Sequence, residues 1–154
     1  MNKGIRIIEY TEVNSLAIKT LNYEWLEMYF KVERGDVISL SNPKEEIIDK
    51  GGFIFYATVN DEIIGTSALV KISDSVFEIG KMAVTHKSQG LGIGKLLMEH
   101  CLASAKEKCI KSLILYSNTS LKPAIHLYEK FGFREIDMEE GVYERANIKM
   151  ELNL

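Results

Sequence analysis

The 154-residue chain is 46% hydrophobic and 27% charged, an ordinary globular composition that excludes a disordered polymer and suits one domain burying roughly 70% of its unfolded surface. Its formal charge of −3 gives no bulk attraction to phosphate backbones or anionic lipid, so neither nucleic acid nor a membrane is expected as a partner. Residues 1–14 lack the apolar region of a secretory signal, and the longest apolar run, residues 51–59, is about half of the ~20 residues a membrane-spanning helix needs, so a cytoplasmic location is expected.

In chain order, residues 5–10 have strand composition, and residues 13–29 carry Leu16, Leu21 and Leu26 at helical spacing, with an interruption expected near Asn22. Residues 31–40 read as a polar, solvated loop containing Glu33, Gly35 and Asp36, whose acidic pair could alternatively attract a cationic acceptor. Ser41, Asn42 and Pro43 then supply a cap and first-turn proline for a short helix over 44–50. Three segments rich in β-branched and aromatic residues, 53–59, 62–72 and 76–84, are separated by Asn60-Asp61 and Ser73-Asp74-Ser75 and predict an antiparallel meander.

From Gly92 the period changes, and Ile93, Leu96, Leu97, Cys101 and Ala105 make one apolar helix face. A strand over 113–116, a helix over 123–130 stopped by Gly132, and strands over 133–137 and 143–152 complete the chain. This order predicts an α/β fold, a mixed sheet with helices on both faces, in one domain over 1–154. Cys101 and Cys109, separated by about 12 Å of rise on one predicted helix, are too far apart for the ~7 Å a disulfide tolerates and are expected as reduced thiols. His86, His100 and His126 lack the spacing of a zinc site, so no metal is expected.

The turn Gln89-Gly90-Leu91-Gly92-Ile93-Gly94-Lys95 sits between a predicted buried strand and the long helix. Glycines there admit a ligand to the backbone, and consecutive N–H groups at a helix start form an anion-binding concavity suited to a pyrophosphate; a flexible connector is the plainer alternative. A dinucleotide fingerprint fails because Lys95 or Leu97 stands where glycine or alanine is needed. A nucleoside triphosphate loop fails at Gln89 and Leu96.

Gln89-x-x-Gly92-x-Gly94 does match the Gln/Arg-x-x-Gly-x-Gly/Ala signature of the GNAT acetyltransferases. The segment 77–84 resembles that family's fourth strand, and Ala124-x-x-x-Tyr128-x-Lys130-x-Gly132-Phe133 resembles a later family segment. The resemblance implies a mostly antiparallel central sheet with a splay between its fourth and fifth strands, into which acetyl-CoA inserts as co-substrate. It also implies backbone contacts from Met82, Ala83 and Val84 at a strand bulge, and a phosphate cradle of Gln89, Gly90, Leu91, Gly92, Ile93, Gly94 and Lys95. His86 replaces a proline frequent in the family and Leu121 an asparagine, for which Asn118 is a nearby substitute. Homodimers through late strands are the association the resemblance implies.

Transfer of an acetyl group to an amine requires a neutral nucleophile and a proton for the leaving thiolate. Glu78, which regular alternation places on one strand face with Gly80, Met82 and Val84, occupies the position of a family glutamate base; a solvent-facing strand residue is the alternative. Tyr128 corresponds to the tyrosine that protonates the CoA sulfur, beside the plainer reading of a core aromatic. Lys95, Lys122 and Lys130 are candidates for CoA phosphates or simply solvated charges. Two functions follow: an N-acetyltransferase acting on a primary amine of a small molecule or peptide, or a noncatalytic acyl-CoA sensor.

Overall fold

The computed structural model describes residues 4–154. Strand β1 (Ile5–Glu9) leads to helices α1 (Ala17–Tyr29) and α2 (Arg34–Ser41) and a π-helical turn (Lys44–Ile48). Strands β2 (Phe53–Val59), β3 (Glu62–Lys71) and β4 (Val76–Val84) follow as the expected antiparallel meander. A 3-10 turn (His86–Ser88) enters α3 (Ile93–Glu107), and β5 (Ser112–Ser117), α4 (Lys122–Lys130), β6 (Arg134–Ile136) and β7 (Ile148–Asn153) complete the order.

The seven strands form one sheet in the order β1-β2-β3-β4-β5-β7-β6. Every neighbouring pair is antiparallel except β4 and β5. Alternation along β2 sends Phe55 and Ala57 to one face and Ile54 and Tyr56 to the other. On the first face they pack against Ile93, Leu97, Met98, Cys101 and Ala105 of α3; on the second, against Ile18 and Leu26 of α1. Gly65 lets α3 approach closely, because a Cβ there would lie 3.0 Å from Ile93 Cγ2 and 3.2 Å from Leu97 Cδ1.

Several local expectations give way. Residues 34–41 are a helix rather than a solvated loop, because Glu33 and Asp36 form a capping box in which Asp36 Oδ2 accepts the Glu33 N–H at 2.9 Å. Asn22 does not interrupt α1: its Nδ2 donates to Ile18 O at 2.8 Å while the helix continues. The short helix expected over 44–50 is a π-helical turn. Residues 143–147 leave the sheet instead of opening the last strand, which brings Tyr143 and Arg145 to the cleft described below. Cys109 lies beyond the end of α3 at φ +60, exposed, while Cys101 is buried; both are free.

Candidate active site

Strands β4 and β5 pair only through Val76↔Ser112, Phe77↔Leu113 and Glu78↔Ile114, after which they separate. This is the splay that the family resemblance implies. It opens a cleft of about 780 Å³ walled by both strand edges, by α1 and by α4. Glu78, Met82, Ala83, Val84, Gln89, Gly90, Gly92, Ile93, Gly94, Lys95, Asn118 and Tyr128 all line it. Leu91 does not: its side chain is exposed, leaving only its main chain in the turn. Lys122 and Lys130 lie outside the lining.

At one end of the cleft, α3 begins without a side-chain cap and without an acidic residue in its first turn. Gly92 takes the N-cap position at φ +79 and Gly90 precedes it at φ +83, both in the left-handed region that favours glycine. Among the described residues no turn or loop bond uses an N–H between residues 90 and 95; the first helical bond there is Leu96 N–H to Gly92 O. A Cβ built on Gly90, Gly92 or Gly94 meets no atom within 4 Å, so these glycines open space above the turn. Free amides, the positive end of a helix dipole, an open approach and nearby Lys95 make an anion cradle. Glu24 of α1 fixes the entry to it, accepting from the Thr85 hydroxyl at 3.0 Å and the His86 N–H at 2.9 Å.

In the middle, β4 carries a bulge. Thr66 pairs with Ala83 and Ala68 with Gly80, so Ser67 on β3 faces two residues, Lys81 and Met82. Lys81 is the extra residue, at φ +54, and Asn22 Nδ2 donates to its carbonyl at 3.0 Å. Thr85 donates its N–H to Ile64 O toward β3. Because successive N–H groups of a regular strand point to opposite edges, that of Val84 is directed at the open edge beside β5.

The bulge overturns the regular alternation expected for Glu78. Phe77 and Ile79 pack into the α3-side core, and Met82 and Val84 pack there too, one step out of phase. Glu78 and Gly80 face the opposite way, toward the α1 and α2 side, where a Cβ on Gly80 would sit 3.2 Å from Glu78 Oε2. Glu78 is therefore buried rather than solvent-facing, at 9% exposure. Burial pushes its pKa up, only partly offset by the charge of Lys81 and a 3.2 Å hydrogen bond from the Tyr143 hydroxyl to Oε2.

Around Glu78 lies an ionic network of Asp36, Glu33, Lys81 and Arg145, in place of the solvated loop expected over 31–40. Asp36, 1% exposed, accepts from both guanidinium nitrogens of Arg145 at 2.7 and 2.9 Å and lies 3.6 Å from Lys81 Nζ. Glu33 accepts from Arg145 at 2.8 Å and from the Glu144 N–H at 2.9 Å, tying the 143–147 loop to the start of α2. Burial lowers the pKa of Lys81, with Asp36 and Glu78 acting the other way. The acidic pair thus neutralises internal cations and is not free to attract an acceptor. Two signals point here: Glu33-x-x-Asp36 has capping spacing before Val37 and Ile38, and Glu78 and Lys81 are the two charges in a strand otherwise without any.

Tyr128, half-buried, meets Phe133 edge to face at 6.2 Å and packs on the core while lining the cleft. Burial raises its phenol pKa, with the Ser117 hydroxyl acting the other way. Asn118 donates to Arg145 O at 2.8 Å and accepts from the Ser120 N–H at 2.9 Å, so its amide ties the β5–α4 loop to the 143–147 loop. Among the described residues no group of three or more His, Cys, Asp or Glu is placed to hold a metal ion, and no helix is long and apolar enough to cross a membrane.

A mixed sheet splayed beside a glycine-opened helix start is the arrangement the family resemblance implies, and comparison with known proteins agrees on the family. The acetyltransferase (GNAT) family model matches residues 17–133, and the chain belongs to that family. It is 34% identical over 88 residues to the [ribosomal protein bS18]-alanine N-acetyltransferase of Haemophilus influenzae, a match covering 57% of this chain and 59% of that enzyme. It spans less than a third of the length of two further acetyltransferase relatives. A GNAT-family acetyltransferase structure from Staphylococcus aureus superposes with a TM-score of 0.85 at 25% identity, covering 97% of this chain and 98% of the other. A GNAT-family acetyltransferase from Elizabethkingia anophelis, solved with acetyl-CoA bound, superposes at TM-score 0.66 and 26% identity with 99% of each chain covered.

Proposed function

We propose that the protein transfers the acetyl group of acetyl-CoA to a primary amine in the β4–β5 cleft. The observation that carries this reading is the coincidence, in one cleft, of the uncapped glycine-opened start of α3, the bulged open edge of β4 and a buried carboxylate. The residues fit the co-substrate: the free amides of residues 90–95 receive the pyrophosphate, and the Met82 and Val84 N–H groups receive the pantetheine arm and acyl oxygen. Acetyl-CoA supplies the thioester carbonyl that the amine attacks.

Glu78, kept basic by its raised pKa, accepts a proton from the incoming ammonium directly or through water, leaving a neutral nucleophile. As the new C–N bond forms and the C–S bond breaks, the Tyr128 hydroxyl gives its proton to the departing sulfur. Its raised pKa keeps that phenol protonated at neutral pH, so its proton is held where the C–S bond breaks, and the proton shed by the acylated nitrogen returns to the phenol oxygen through water.

The test is Gly94→Asp. A Cβ at Gly94 meets no atom within 4 Å, and an acidic residue in the first turn of a helix is stabilising. The variant should melt no lower than the parent, yet bind acetyl-CoA at least about tenfold more weakly by calorimetry. Unchanged affinity in the folded variant would remove the phosphate assignment.

A further inference from the structure

Resting on the acetyl-transfer reading, we propose that the acceptor is a primary amine bearing an aromatic or branched apolar group and no carboxylate. Trp25 and Tyr29 follow Asn22 at i+3 and i+7 on the face of α1 that holds the bulge carbonyl, so they continue the cleft wall from that point. With Phe30 they form one aromatic cluster, Trp25 lying 5.6 Å from Tyr29 and 5.5 Å from Phe30 between ring centroids. Across the cleft, Tyr116 and Tyr143 meet edge to face at 5.7 Å, and Tyr143 is the residue that donates to Glu78. An amine delivered to Glu78 therefore carries its body along aromatic surface, from which an apolar group displaces water more favourably than a polar one.

Charge separates amines from amino acids. The ionised side chains lining the cleft are Glu78, Lys81, Lys95 and Arg145. Arg145 is committed to Asp36 and Glu33, and Lys81 lies against Asp36, while Lys95 belongs to the turn at the start of α3. Among the described residues an acceptor carboxylate would find no uncommitted cation in the cleft lining beside it and would face the charge of Glu78. An ammonium meets a carboxylate at the reaction point and, on the α1 wall, the Trp25 and Tyr29 rings along the approach, whereas the Tyr143 and Tyr116 rings already carry Lys81, Arg145 and Lys149.

Trp25 is the chain's one tryptophan, so its fluorescence reports directly on this wall. The acetyl-CoA complex is titrated with 2-phenylethylamine, 2-cyclohexylethylamine, phenylalanine, putrescine and an alanyl dipeptide, and acetylation of each is measured in parallel. The first two should give a saturable Trp25 response and kcat/KM values roughly 100-fold above the other three. Tyr29→Ala, at a position 46% exposed, should raise KM for 2-phenylethylamine about tenfold with kcat kept. Faster acetylation of phenylalanine, putrescine or the dipeptide would overturn the acceptor class while leaving acetyl transfer standing. A saturable Trp25 response to 2-phenylethylamine without acetylation would support the acceptor class and sink the transfer reading. No Trp25 response at saturating 2-phenylethylamine would overturn the class outright.

Discussion

Asp36→Asn is expected to destabilise the fold more than its distance from the reacting atoms suggests. The substitution preserves shape and an oxygen for the Glu33 N–H but removes the charge facing Arg145 and Lys81. Breaking one side of a buried ion pair costs about 3–5 kcal/mol. Arg145 retains Glu33 at 2.8 Å, whereas Lys81, whose side chain is 9% exposed, keeps Glu78 as its remaining close anionic neighbour. The lower end, about 3 kcal/mol, is therefore expected, which for a domain of this size lowers Tm by about 6–12 °C. Burial alone would raise the Asp36 pKa, but the Arg145 hydrogen bonds, the Glu33 N–H and the neighbouring cations outweigh it, and the net shift is downward. A carboxylate depressed in the folded state contributes stability that is present above its unfolded pKa of about 3.9 and lost as pH falls through the folded value. Thermal melts followed by circular dichroism should show the full gap between parent and variant at pH 7, narrowing steadily below about pH 4. A gap under about 2 °C at pH 7, or one of constant size down to about pH 2, would refute the electrostatic account of this network.

Two further changes address the chemistry. Glu78→Gln should cut turnover roughly 100-fold at neutral pH and move the acidic limb of the rate profile toward the amine's own ionisation; an unchanged profile would reduce Glu78 to a structural residue. Tyr128→Phe keeps the ring that packs on Phe133 while deleting the proton donor, so thiol release should fall roughly 10- to 1,000-fold with Tm nearly unchanged. A destabilised but fully active Tyr128→Phe protein would return the residue to the core.

The strands, the long helix and the glycine turn were legible because each rests on local signals: alternation, helical periodicity and consecutive motif residues. The splay between β4 and β5 followed from resemblance rather than from any residue pattern. The acceptor side was less legible because it depends on contacts between distant segments. Asp36 looks solvated beside Gly35 until Arg145, more than a hundred residues later, folds back onto it. Tyr143 reads as strand until the chain leaves the sheet to reach Glu78. The face of Glu78 was missed for a smaller reason: one extra residue in β4, Lys81, reverses the alternation for every position after it.

Acetyl transfer is read out by amine-dependent thiol release from acetyl-CoA by the whole chain, with the acetylated amine identified by mass spectrometry. Release should require an amine, match the product mole for mole and fall in both Glu78→Gln and Tyr128→Phe. Acetyl-CoA binding by calorimetry with no amine-dependent release across small amines and peptides would contradict acetyl transfer and leave a cleft that senses acyl-CoA without reacting.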